Sequence, residues 1–223
     1  MDFLAGQILL FNKPMGWTSF DVVAKVRNTL RIKKVGHAGT LDPLASGLLI
    51  LCTGRATKSI DAIQAQAKTY ETCFKLGATT ASYDAETPEV PVCDATQFAR
   101  PEIEAAMRGF AGEITQTPPI YSAVKVGGRR AYEAARAGQT PELKTRQVHI
   151  YDFTLLDNPE PACWCARIGC SKGTYIRSLV HDLGQTLGCG AYIRSLVRTR
   201  IGDYDLADAW EIGDFVQQFG RNS

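Results

Sequence analysis

Apolar positions recur along this chain with two distinct periods. Residues 6–12, GQILLFN, form a short apolar run that stops at Lys13-Pro14-Met15-Gly16, which reads as a buried strand and a turn. Val22, Val23, Val26 and Leu30 then recur at helical spacing, so a helix is expected from Thr18 or Ser19 to about Leu30. Thr18 and Asp21 have the offset of a capping box. A second apolar run at 48–52 reads as a strand, followed by a short helix near 58–66 and a strand, KTYETCFKLG, at 68–77. The polar stretch after it reads as a long surface loop. Arg100-Pro101 opens a helix to about Arg108, because proline is welcome in a first turn. Residues 113–126 look extended around Pro118-Pro119, and one or two helical turns are expected at 130–137. Two strands follow at 147–155 and 162–170, with Asn158-Pro159 as their connection. The clearest helix is 175–187, where Ile176, Leu179, Val180, Leu183 and Leu187 share one face. A short helix near 190–195, a strand at 197–201 and a helix near 208–218 complete the pattern.

Several strands without regular strand–helix alternation predict an α+β, or mixed α/β, fold with substantial antiparallel pairing. No internal repeat and no Gly/Ser linker interrupts the 223 residues, so a single domain over 1–223 is expected. At 45% hydrophobic and 22% charged, the chain is ordinary for a globular protein, which excludes disordered, collagen-like and coiled-coil classes. The apolar runs are too short to cross a bilayer, and no secretory signal is recognised, so a cytoplasmic enzyme or binding protein is expected.

The net charge of +2 is uninformative by itself; its distribution says more. Residues 27–34 carry Arg27, Arg31, Lys33 and Lys34 without an acid. Lys125, Arg129, Arg130, Arg136, Lys144 and Arg146 crowd 125–146, and Arg194, Arg198 and Arg200 recur near the C-terminus. Acids gather instead at 84–104, at Asp84, Glu86, Glu89, Asp94, Glu102 and Glu104. Segregated charge fits one phosphate-facing side, although solvated helix faces explain any single cluster equally well. The seven cysteines include no Cys-x-x-Cys pair, and with three scattered histidines they predict no zinc site. Most are expected to be small buried hydrophobes, with Cys163 and Cys165 on one side of a strand.

There is no phosphate-binding G-x-x-x-x-G-K-[ST], no G-x-S-x-G elbow and no H-E-x-x-H. In GHAGTLDPLASGLL, residues 36–49, Asp42 is the best single-carboxylate candidate, yet Asp-Pro alone favours a turn. Arg177, in the first turn of the best helix, could hold such a carboxylate ionised.

Five blocks, in order, carry a resemblance: FNKPMGWTSFDVVAKVR, GHAGTLDPLASGLLILCTGRATK, KTYE, PPIYSAVKVGGRRAYEAARAG and CSKGTYIRSLVHDLGQTLGCGAYIRSLVRTRIG. Together they resemble the TruB-type tRNA pseudouridine synthases from about residue 6 to 202. The resemblance implies a pseudouridine synthase fold, a mixed, largely antiparallel sheet flanked by helices and loops. It implies isomerisation of uridine 55 in the T-arm loop of tRNA after base flipping, with no metal, nucleotide or redox cofactor, no membrane and no obligate protein partner, by a monomer. Asp42 matches the family's essential aspartate, acting as nucleophile or otherwise assisting glycosidic cleavage. Tyr70 matches the tyrosine that stacks on the target base, and Arg177 the arginine that pairs with the catalytic carboxylate. Tyr175 and Leu196 match uracil-pocket residues, His37 a histidine that enters the T loop, and Lys13 the lysine of the opening block, in a supporting role. The basic insertion near 121–146 is expected to fold over the RNA and neutralise phosphates. Val197 stands where the family usually has the first of two arginines, and only 21 residues follow Gly202, so no C-terminal PUA domain is expected. A non-catalytic RNA-binding module and a guide-RNA-directed rRNA pseudouridine synthase remain as alternative readings.

Overall fold

The computed structural model describes residues 2–122, 124–126, 129–131, 133 and 142–220. In chain order the strands are β1 Ile8–Lys13, β2 Val35–His37, β3 Ala45–Thr53, β4 Lys68–Leu76, β5 Ala78–Thr79, β6 Val90–Pro91, β7 Gly112–Gln116, β8 Lys125–Val126, β9 Arg129–Arg130, β10 Arg146–Glu160, β11 Cys163–Cys170, β12 Ala191–Ile201 and β13 Tyr204–Asp205. The α-helices are α1 Ser19–Leu30, α2 Ile60–Ala65, α3 Arg100–Arg108, α4 Ile176–Thr186 and α5 Ile212–Phe219. The described chain clusters into two compact units, residues 1–71 with 196–223, and residues 72–195; β4 and β12 each run from one into the other.

In the first unit β3 is the central strand. It pairs antiparallel with β1, from Ile8 opposite Cys52 to Lys13 opposite Gly47. On its other edge it pairs antiparallel with β2 at Leu51–Thr53, and in parallel with β12 at Ala45–Gly47. The edge that β2 leaves is thus taken over by β12, beside the loop of residues 38–44. The apolar run at 48–52 is buried on both faces, as a central strand requires. Val22, Val23 and Val26 of α1 and Phe215 of α5 pack with Phe11, Leu49 and Leu51 in one cluster. The capping box is present: Thr18 Oγ1 accepts from Asp21 N, and the Asp21 carboxylate accepts from Thr18 N.

In the second unit the strand order is β12-β4-β11-β10-β7, and α3 packs on β10 and α4. The amphipathic stripe of α4 buries Ile176, Leu179, Val180 and Leu183. Among the described residues, no helix is long and apolar enough to cross a membrane.

Three expectations are corrected, and one on the cysteines holds. Residues 191–195 are not helical but open β12: Gly188 and Gly190, both at φ 70, close the turn after α4, and Tyr192 and Ile193 suit a strand. Asn158-Pro159 is no connection but lies inside β10. Because β7 covers β10 only from Arg146 to Ile150, Pro159 stands where that side is unpaired and no N–H is needed. The connection falls instead at Pro161-Ala162, with Ala162 at φ 60. Most cysteines are buried as expected, namely Cys52, Cys163, Cys170 and Cys189, while Cys73 and Cys165 are joined in a disulfide, Cα atoms 4.0 Å apart, and Cys93 is exposed. Finally, the three C-terminal arginines form no free basic cluster: Arg194 pairs with Glu160, Arg200 with Asp205, and Arg198 is buried. The segment expected to be helical at 130–137, and much of the insertion, lie outside the described residues.

Candidate active site

The loop of residues 38–44 is built as a turn with anchors on both sides of its carboxylate. Asp42 O accepts the amide of Ala45 at 3.1 Å, which closes a β-turn with Pro43 in its second position. On one flank Leu41 N donates to Ser19 Oγ at 2.9 Å, and the same hydroxyl reaches Leu41 O at 3.2 Å. On the other flank Pro43 O accepts from Gly16 N at 2.8 Å. The capped start of α1 and the Lys-Pro turn before it therefore fix the backbone on either side of Asp42, while the Asp42 side chain stays half-buried.

Lys13 is wholly buried, and its ammonium donates to Trp17 O at 2.6 Å, Pro14 O at 3.0 Å and Pro43 O at 3.4 Å. It shapes the loop instead of facing solvent. Burial pushes its pKa down to about 8, against the attraction of the Asp42 carboxylate and with the repulsion of Arg198. His37 ends β2, half-buried, with Nδ1 lacking a hydrogen-bond partner among the described residues. Burial lowers its pKa, with Arg198 acting in the same direction. Tyr70 lies on the buried face of β4, in register with Lys68, and Leu196 is half-buried on β12 opposite Ala45. Arg198, next but one, is 1% exposed, and its guanidinium donates to Leu48 O at 2.8 Å, Gly39 O at 3.1 Å and Thr40 O at 3.4 Å.

In the second unit Tyr175 precedes α4 and is held at both backbone groups by buried Gln116: Tyr175 N donates to Oε1 at 2.7 Å, and Nε2 donates to Tyr175 O at 3.0 Å. The Arg146 guanidinium lies over the Tyr175 ring, 5.1 Å from its centroid. Arg177, 4% exposed, donates to Ser82 O at 3.0 Å and Tyr121 O at 2.9 Å and pairs with the Asp84 carboxylate at 3.3 Å. Asp84 also accepts from Ser82 Oγ at 2.6 Å and Glu86 N at 3.0 Å. Tyr83, at φ 63, stacks on His181, one turn beyond Arg177, with ring centroids 3.8 Å apart.

Pattern reading missed one residue in each unit, Arg198 in the first and Asp84 in the second. Asp84 stands in a polar, aperiodic stretch where an acid reads as surface, and Arg198 reads as one of three basic surface positions. Neither environment is visible without long-range pairing. Among the described residues, no three His, Cys, Asp or Glu side chains stand together as a metal site.

Comparison with known proteins shows the family. The family described as TruB family pseudouridylate synthase (N terminal domain) matches residues 27–176, and tRNA pseudouridylate synthase B C-terminal domain matches residues 177–222. A protein of Parabacteroides distasonis named tRNA pseudouridine synthase B is 49% identical over 98% of this chain and 96% of its own length. One of the same name from Bacteroides thetaiotaomicron is 46% identical over 99% and 96%. Among solved structures, a chain of a Cbf5-Nop10-Gar1 complex superposes with a TM-score of 0.72 at 31% identity. That match covers 96% of this chain but 54% of the solved one, so the present chain spans about half of it.

Proposed function

Because the chain belongs to the TruB family of pseudouridylate synthases, we propose that it converts uridine 55 in the T-arm loop of tRNA to pseudouridine. The observation that carries this reading is the Asp42 loop: a half-buried carboxylate on an Asp-Pro turn whose backbone is anchored from Gly16, Ser19 and Lys13. A group that attacks or assists at an anomeric carbon needs such preorganisation, because the flipped nucleotide must meet it in a fixed geometry.

In the reaction the bond between N1 and C1′ breaks, the base turns, and a bond between C5 and C1′ forms. The C5 hydrogen leaves to solvent and N1 gains a proton, with no net oxidation, so the chemistry requires no redox cofactor. Asp42 is the nucleophile or assists the cleavage, and Tyr70 stacks on the base. Arg177, held by Asp84, supplies fixed positive charge. Leu196 and Tyr175 contact uracil, and His37 enters the loop vacated by the base. In this reading residues 1–223 work as one catalytic domain and as a monomer, without metal or protein partner, and the basic insertion near 121–146 grips the RNA.

Tritium release from tRNA transcript carrying 5-tritiated uridine tests the assignment. The wild-type protein alone is expected to release tritium from full tRNA and from a bare T-arm stem-loop, while Asp42→Asn falls to background with an unchanged circular dichroism spectrum. Full release by the variant would end the assignment. Activity that appears only with a guide RNA and partner proteins would favour the rRNA-modifying alternative.

A further inference from the structure

Arg198 is the largest fully buried side chain described in the molecule, and the acceptors shown for its guanidinium are all backbone carbonyls. Three different nitrogens are used on three different carbonyls: Nε on Leu48, Nη1 on Thr40 and Nη2 on Gly39. Gly39 and Thr40 lie on the leg of the loop that enters Asp42, and Leu48 on the strand that leaves it. One planar cation thus ties the two legs together. Its backbone reaches this place through the parallel pairing of Arg198 with Gly47, an approach so close that a Cβ at Gly47 would stand 2.4 Å from Arg198 O. With φ 97, Gly47 is also in the left-handed region that favours glycine.

A buried guanidinium is expensive to desolvate, and an apolar side chain of similar length generally fills such a position with equal or better stability. What an apolar chain cannot do is hold two separate strands of backbone at fixed spacing through several directed hydrogen bonds. We propose that Arg198 is a positioning residue for the pseudouridylation reaction, clamping both legs of the loop so that Asp42 is held at its working distance from the anomeric carbon. The inference rests on the reading of Asp42 as the reacting carboxylate. It also gives Arg198 a different task from the phosphate contact that its place in a basic cluster suggested, since a side chain 1% exposed cannot meet a phosphate.

The test compares wild type with Arg198→Met and Arg198→Lys under single-turnover conditions at saturating tRNA transcript. Misplacement of a reacting group by about 1 Å lowers rates by about 100-fold, so Arg198→Met is expected to lose about that much in rate with unchanged tRNA affinity. Arg198→Lys, which keeps one cationic donor, is expected to recover part of the loss. Amide hydrogen exchange should accelerate at residues 38–44 in both variants while residues 49–51 of β3 stay protected. A lower Tm accompanied by wild-type rate and wild-type loop exchange would overturn the proposal, because a merely structural residue behaves in that way. If Arg198→Met does not fold, Arg198→Lys carries the comparison alone. If the wild-type protein leaves tRNA unmodified, the functional reading fails instead, and loop exchange still reports whether the clamp exists.

Discussion

Around Asp42 the cations play unequal parts. Lys13 is buried and partly relies on Asp42 to remain charged, since burial brings its pKa down to about 8 even against the pull of the carboxylate. Asp21 favours the charged form as well, and Arg198 disfavours it. The sign of the consequence is fixed by linkage. A lysine whose folded pKa lies below the ordinary 10.5 makes the fold relatively more stable as pH rises from about 8 toward that value, because the unfolded chain then binds more protons. Loss of its charge nevertheless removes a cation near Asp42, the proposed reacting carboxylate. The single-turnover rate is therefore expected to fall with an apparent pKa near 8 while thermal stability does not fall with it from this group. In Lys13→Arg, whose side chain stays charged, the alkaline limb should move up or vanish. An alkaline limb unchanged by that substitution would remove Lys13 as its cause. At this scale Asp42 was only half readable: Asp before Pro announced the turn, which the structure contains, but nothing local distinguished a turn residue from a reacting one. The proposal that Asp42 reacts rests instead on ordered motifs far apart in the chain.

Elements were readable where period and capping agree. In α1 the valine stripe, Thr18 and Asp21 point to one helix, and the observed helix begins at Ser19 and ends at Leu30. The cap matters beyond its own turn, because it fixes the first helical residue, Ser19, whose hydroxyl holds Leu41 beside Asp42. Thr18→Ala is expected to lower Tm by about 2–4 °C, as loss of a cap does in a chain of this size. The Asp21 carboxylate is kept below its usual pKa chiefly by the Thr18 hydroxyl, so the stabilisation is present above the ordinary aspartate range and is lost as pH falls through the folded pKa. Differential scanning calorimetry should show the gap between wild type and variant closing in acid; a constant gap would contradict the role of the ionised box. Elements failed to be readable where long-range pairing decides. Residues 191–195 follow a helix and have no long apolar run, yet Thr72 Oγ1 donates to Ser195 O and the segment joins β4 as a strand. Pro159 argues for a turn unless one knows that β7 stops short of it. The Cys73–Cys165 bridge likewise joins residues 92 apart, a separation that no local pattern encodes.

At the scale of the whole molecule, the fold separates two of the basic clusters by what their side chains already hold. Of the three C-terminal arginines, Arg198 is internal and the other two have carboxylate partners. The cluster at 27–34 is different: Arg27, Asn28, Arg31, Ile32 and Lys33 line an open cleft of about 470 Å³ past the end of α1, and none of these lining residues is acidic. Arg27 is partly committed, donating to Val35 O at 2.6 Å and lying over the Phe20 ring at 5.7 Å. Arg31 and Lys33 are exposed and, among the described residues, form no ion pair, which leaves them able to meet phosphates. Each phosphate contact releases counterions, so the salt dependence of binding counts such contacts where a single affinity does not. Arg31→Glu with Lys33→Glu is expected to weaken tRNA binding and to reduce the slope of log K against log salt by about 1 to 2, leaving the single-turnover rate at saturation unchanged. Arg198→Lys, altering a buried residue, should do the reverse: the slope stays and the rate falls. An unaltered slope in the double variant would place the RNA backbone elsewhere, and an altered slope in Arg198→Lys would mean that the loop it holds contributes to phosphate binding as well as to chemistry.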